Sequence, residues 1–190
     1  ELVAELSESL RQHGIQLHFD YSLASVRTEG NNQLRLVPAQ GSISEPFDKL
    51  IFATGRSPNS ASLGLQALGV ELDAKGHVVV DDVQDTTTSH IHAVGDVTAR
   101  PALTPVAIAA ARRLMDRLFG GDAQAWLDYD NIATVVFSHP PLGMVGLSEG
   151  QARKRHGDVV KTYTTRFRPM LHALADSSQR SLFKLVCVGE

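Results

Sequence analysis

The 190-residue chain has one cysteine, so no internal disulfide framework can staple it and no redox-active cysteine pair can form within it. It has no long hydrophobic run: stretches such as Thr134 to Phe137 and Val106 to Ala111 are far too short to cross a bilayer. No secretory signal is visible, and a cytoplasmic setting is expected. A formal net charge of −3 with both signs interspersed excludes the electrostatic footprint of a nucleic-acid or anionic-membrane binder. Repeats, low-complexity tracts and a G-x-G-x-x-G phosphate loop are also missing. What remains, at 43% hydrophobic and 21% charged residues, is the composition of an ordinary globular protein of one or two domains.

Periodicity places the elements. Leu2, Val3, Leu6 and Leu10 share a helical face that ends at Gly14. Ile15, Leu17 and Phe19 alternate as in a half-buried strand, and Ser22–Arg27 with Gln33–Val37 flank a hairpin turn at Glu29 to Asn32. A short strand over Lys49–Ala53 leads into the turn-rich loop Thr54 to Asn59. A short helix over Leu63–Leu68 stops at Gly69, and a tight turn at Asp73 to Gly76 leads into a strand at His77–Val80. A helix from Pro105 to about Phe119 carries the stripe Val106, Ala110, Leu114 and Leu118, with Arg112, Arg113 and Arg117 off it. Beyond Gly120 come a strand over Thr134–Phe137, the corner His139-Pro140-Pro141, and a strand around Met144–Leu147. A polar helix from Ser148 to Arg155 and strands at Val159–Arg166 and Leu182–Val188 complete the chain. An uncapped helix at one end and a strand without a following partner at the other are what a piece of a longer protein shows.

The most informative stretch is Ile91-His92-Ala93-Val94-Gly95-Asp96, followed by Thr104-Pro105 and an alanine-rich helix. A strand ending in Gly-Asp offers a carboxylate where open α/β sheets bind ligands. Thr104 and Pro105 read as a helix cap and first helical residue. The helix they open would direct unsatisfied N–H groups and a partial positive charge at the same place. A carboxylate for hydroxyls beside a helix end for a polar ring suits a cofactor such as a flavin.

Several long stretches carry a resemblance. They are Ala53-Thr54-Gly55-Arg56-Ser57-Pro58-Asn59, the Gly-Asp strand, Leu103 to Ala110, Thr134 to Pro141 and Lys184 to Val188. In this order the chain resembles the flavin-dependent pyridine nucleotide–disulfide oxidoreductases, and within them the glutathione reductase branch. The resemblance implies an α/β fold in three parts. Residues 1–58 would end an NADPH-binding domain, residues 59–127 would form the second segment of an FAD-binding domain, and residues 128–190 would begin an α+β dimerisation domain. It implies FAD and NADPH as cofactors, glutathione disulfide as substrate and a homodimer in the full-length protein. Three parts of a complete member are absent from this sequence: the Gly-rich FAD motif with its cysteine pair, the Gly-rich NADPH motif and a C-terminal His-Glu pair. The chain alone is therefore expected to be inactive and to hold no catalytic residue.

The same resemblance assigns roles by position. Asp96 would bind a ribityl hydroxyl, and Thr104 with its helix end would face the pyrimidine edge of the flavin ring. Gly55 and Val135 would lie against the nicotinamide nucleotide, and Arg112 would grip a carboxylate of glutathione disulfide. Each has a plainer reading: a turn residue for Gly55 and Asp96, a helix cap for Thr104, a buried strand valine for Val135 and a solvated helix arginine for Arg112. His139 has no second ligand at useful spacing, so a structural corner is expected there and no metal site. His172 carries no assignment. Cys187, within an apolar strand, is expected to be a buried small hydrophobe. Sister reductases acting on dihydrolipoamide or trypanothione, and a non-catalytic flavin-binding or dimerisation module, are the alternatives.

Overall fold

The computed structural model describes residues 1–175 and 179–189. The chain folds as two compact units, Glu1–Phe52 with Asn131–Glu190, and Ala53–Asp130.

In the first unit, α1 (Leu2–Gln12) ends as its sequence dictates. Gly14 takes φ +82°, its N–H donates to the Arg11 carbonyl at 2.9 Å, and the Ile15 N–H reaches back to Leu10 at 3.1 Å. These two bonds satisfy carbonyls that the last turn leaves free. β1 (Leu23–Thr28) and β2 (Leu34–Pro38) pair antiparallel, with Val26 opposite Leu36 and a bulge between Leu23 and Ser25. The strands expected at Ile15–Phe19 and Lys49–Ala53 are irregular segments. Phe19, Ile51 and Phe52 are exposed in them. Alternating or clustered apolar side chains do not make a strand without a backbone partner, and neither segment has a ladder among the described residues.

β3 (Thr134–Val136) pairs antiparallel with β4 (Leu142–Met144). β4 starts earlier than expected because pairing resumes directly after the corner, where the His139–Pro140 peptide is cis and the Ser138 hydroxyl donates to the Pro140 carbonyl at 2.7 Å. α3 (Glu149–His156) opens with a reciprocal capping box between Ser148 and Gln151. It packs Ala152 close to β5 (Val160–Phe167), which pairs with β6 (Ser181–Val188) in continuous register from Val160 opposite Val188 to Phe167 opposite Ser181. On β6, Phe183, Leu185 and Cys187 alternate onto an uncovered face. Cys187 is thus exposed, which corrects the buried thiol expected from its apolar neighbours. Lys184, on the other face, reaches Glu149 at 2.6 Å and Glu1 at 3.0 Å, and Arg166 pairs with Glu5 at 3.1 Å.

The second unit is organised by α2 (Thr104–Phe119), whose Ala110 and Leu114 are buried with Val70, Val78 and Ala125. The segments at His77–Val80 and Ile91–Gly95 do not form ladders. Single bridges join Val78 to Leu72 and Thr98, and Asp85 to His92. The expected helix at Leu63–Leu68 is one 3-10 turn, Leu65–Leu68, closed by Gly69 at φ +80°. Gln84, 2% exposed, is buried beside this frame with its carboxamide hydrogen-bonded to Tyr129 and to the Asp82 carbonyl.

Candidate functional site

The site is built from backbone outward within the second unit. Gly95–Val97 forms a single 3-10 turn with Gly95 at φ +75°, a conformation glycine adopts without strain. The Gly95 carbonyl accepts from the Thr98 N–H at 2.9 Å and from the Thr98 hydroxyl at 2.8 Å. Thr98 itself is 2% exposed, so this turn is anchored from below. Gly95 also abuts the first turn of α2: a Cβ added to it would stand 3.1 Å from the Cβ of Ala107. The close approach that glycine permits here is toward the helix.

This anchoring presents Asp96 to solvent at the edge of a cleft of about 690 Å³. The cleft is lined by Arg56 to Asn59, Asp73 to Lys75, His77, Asp96 to Arg100 and Ala102. Its volume lies within the range of small-molecule sites, roughly 300–1,000 Å³. Arg56 Nη2 stands 3.3 Å from Asp96 Oδ2. The other cations at the rim differ in their commitments. Arg100 donates to Asp82 at 2.8 Å and to the Asp81 carbonyl, and its guanidinium lies 4.7 Å from the centre of the Tyr129 ring. His77 Nδ1 is 2.9 Å from Asp73 Oδ2. Backbone donation from His77 is the largest influence on the Asp73 carboxyl; burial opposes it, but with the His77 side chain and the Lys75 N–H the group is held below the usual range. The Lys75 ammonium has no partner among the described residues.

α2 begins differently from the sequence expectation. Leu103, extended at φ −128° and ψ 129°, is the N-cap, and its carbonyl accepts the Ala107 N–H at 3.0 Å. Thr104 is therefore the first helical residue and its hydroxyl caps nothing. Pro105 contributes no N–H, so the free donors of the first turn are Thr104 and Val106. The cleft lining reaches Ala102 and stops short of Thr104. Asp96 and the helix end thus share a scaffold through Gly95 and Ala107, and the described cleft includes only the first.

The remaining expected residues are dispersed. Gly55 takes φ +127° with open space where a Cβ would stand, so the turn before Arg56 needs glycine. Arg112 is exposed on α2 and has no ion-pair partner among the described residues. Val135 sits in β3 of the other unit and is 42% exposed, so it is not the buried strand valine of the plainer reading. His139 is exposed, and no group of three or more histidine, cysteine, aspartate or glutamate side chains is placed to hold a metal among the described residues.

Sequence reasoning missed one cluster in the same unit. Arg117, on the far end of α2, forms a very short hydrogen bond to Asp85 and donates to the Val83 carbonyl at 3.0 Å. His92 Nδ1 meets the same Asp85 oxygen at 2.7 Å. Burial pushes the Asp85 carboxyl up, but donation from Arg117 and His92 outweighs it and leaves the group below its ordinary value. No local pattern links positions 32 residues apart.

Of the two expected flavin contacts, Asp96 and Thr104, only Asp96 lines the cleft. A carboxylate held at a cleft edge suits a ligand hydroxyl, and cations at the rim suit an anionic moiety. Comparison with known proteins agrees. Residues 1–111 match the model of the pyridine nucleotide-disulphide oxidoreductase family, and residues 132–190 match the dimerisation domain of the same family. Solved structures of the HOCl-induced flavoprotein disulfide reductase RclA from Escherichia coli superpose with a TM-score of 0.85 at 26% identity over 98% of this chain. Its Cu(II) complex gives 0.87 at 26% over 98%, and the Cu(II) complex of a cysteine-to-serine mutant of it gives 0.86 at 27% over 97%. The chain spans 41–42% of the length of those proteins. By matched sequence and by fold, the chain belongs to the pyridine nucleotide-disulphide oxidoreductase family.

Proposed function

We propose that this chain is part of an NADPH-dependent flavoprotein that reduces a disulfide substrate through FAD and a protein cysteine pair, with glutathione disulfide as the substrate. The observation that carries the reading is the Gly95-Asp96 turn, anchored by Thr98 and packed on Ala107 of α2, with its carboxylate at the mouth of a cleft. Asp96 would accept from a ribityl hydroxyl, a contact worth roughly 1.5–3 kcal/mol. Bound FAD would supply two-electron transfer between a nicotinamide and a disulfide. The Thr104 and Val106 N–H groups, with the α2 dipole, would stabilise negative charge by about 0.3–1 kcal/mol at this largely exposed helix end. Gly55 and Val135 would abut the nucleotide, and Arg112 would grip a substrate carboxylate through its planar fork.

The single cysteine of this chain, Cys187, cannot provide the reacting pair, so the chain alone is expected to be inactive. Residues 132–190, matched by the dimerisation domain, would pair two copies of the full-length protein. The three-part division at residues 58 and 127, and a cytoplasmic setting, belong to the same reading. A second reading is favoured by the solved structures: a flavoprotein disulfide reductase of the RclA kind, with a substrate other than glutathione disulfide. The test is purification of the full-length protein, a flavin absorbance spectrum, and NADPH and NADH oxidation with glutathione disulfide, lipoamide and other disulfides. Faster turnover of glutathione disulfide with NADPH supports the first reading. A flavoprotein that ignores glutathione disulfide but reduces another disulfide supports the second, and a protein without flavin overturns both.

A further inference from the structure

Arg56 is 81% exposed at its side chain, and its Nη2 lies 3.3 Å from Oδ2 of Asp96, 46% exposed, as an ion pair without a hydrogen bond between them. An ion pair this open adds little to folding. Stability therefore does not account for it. Asp96 has no other hydrogen-bond or ion-pair partner among the described residues, so its main chain is fixed by the Thr98 bonds while its carboxylate is restrained by Arg56 alone. Of the other cations lining the cleft, Arg100 is held by Asp82 and His77 by Asp73, and Lys75, which has no partner among the described residues, does not pair with Asp96. Gly55, at φ +127°, sets the turn that brings Arg56 to the cleft edge.

We infer that Arg56 is a positioning residue for cofactor binding: it engages one oxygen of Asp96 and leaves the other, Oδ1, oriented toward a ligand hydroxyl. The inference rests on the proposed flavin site and adds to it the group that orients its acceptor. A carboxylate free to rotate must lose that freedom when a ligand hydroxyl binds, and a side chain already held has less to lose.

The test is a double-mutant cycle in the full-length protein, with FAD titrated into apoprotein and followed by flavin fluorescence. Arg56→Gln is expected to raise the FAD Kd about 2- to 5-fold, the range an exposed ion pair supports. Arg56→Lys, which keeps the charge but not the fork, should recover part of that loss. In an Asp96→Ala background, Arg56→Gln should change the Kd no further. An equal loss in both backgrounds would show that Arg56 acts without Asp96 and would overturn the inference, as would no loss in either. A parent protein that binds no FAD overturns the functional reading itself. A flavin-replete parent with an uncoupled cycle overturns this inference alone.

Discussion

Gly95 and Ala107 lie so close that a single added carbon on the glycine would stand 3.1 Å from the alanine Cβ. That approach ties the turn bearing Asp96 to the first turn of α2, so the backbone at Asp96 and the helix end keep a fixed relation. Two physical effects oppose any side chain at this position: the contact itself and φ +75°.

Gly95→Ala is therefore expected to be destabilising by about 1–2 kcal/mol from the left-handed backbone alone, with the contact adding to it. Ala107→Gly, which opens space opposite, should relieve the contact part and leave the backbone part. Thermal unfolding of the single and double variants of the full-length protein measures this. Additive losses would mean that the two positions do not meet.

The Arg117–Asp85–His92 cluster predicts an acid-side stability change. The Asp85 carboxyl is held below its ordinary value of about 3.9 in the fold. A carboxyl lowered in this way contributes stability that is complete above the unfolded value and is lost as pH falls through the folded one. Unfolding free energy should stay level from about pH 7 to about pH 5 with respect to this group and decline below about pH 4. Asp85→Asn should remove this part of the decline and cost about 1 kcal/mol at neutral pH, because Arg117 loses its charged partner. An unchanged acid profile in that variant would contradict the assignment.

Lys184 bridges Glu149 and Glu1 and thereby joins β6 to α3 and to the residue that precedes α1. Lys184→Ala is expected to speed hydrogen exchange of the α1 amides from Glu5 onward, whose N–H donates to the Glu1 carbonyl, while leaving the β5–β6 ladder protected, since that ladder is held by its own register. Hydrogen–deuterium exchange resolves the two segments. Equal acceleration in both would assign Lys184 to the sheet instead.

Arg112 is exposed and unpaired among the described residues, so its removal should leave the fold intact. If it grips a carboxylate of glutathione disulfide, Arg112→Ala raises the KM for that substrate about 10- to 100-fold. The KM for NADPH should change far less. Steady-state kinetics of the full-length protein supplies both values, and equal KM values for variant and parent with glutathione disulfide would remove the substrate assignment.

Local patterns carry much of the fold. The stripe through Ala110 and Leu114 and the turns closed by Gly14 and Gly69 are written in neighbouring residues, and the structure has them. The strands expected at Ile15–Phe19 and Lys49–Ala53 do not form because pairing depends on a partner that sequence periodicity does not report. Cys187 differs from expectation for a related reason: alternation on a strand says which residues share a face, and only packing says whether that face is covered. The cap at Leu103 has no side-chain signature, so Thr104 takes its place in a reading from sequence. At the site, Gly95 and Asp96 are legible from their motif. The Arg56–Asp96 and Arg117–Asp85 pairs are not, because long stretches of chain, 32 residues in the second case, separate partners that only folding brings together.

Flavin content of the Asp96→Ala variant tests the central claim most directly. The full-length parent and variant would be freed of loosely held ligand by gel filtration, and the flavin absorbance would be read against protein concentration. A parent that retains flavin and a folded variant that has lost most of it is the expected result. A variant that keeps the parent's stoichiometry would place the cofactor's anchor elsewhere.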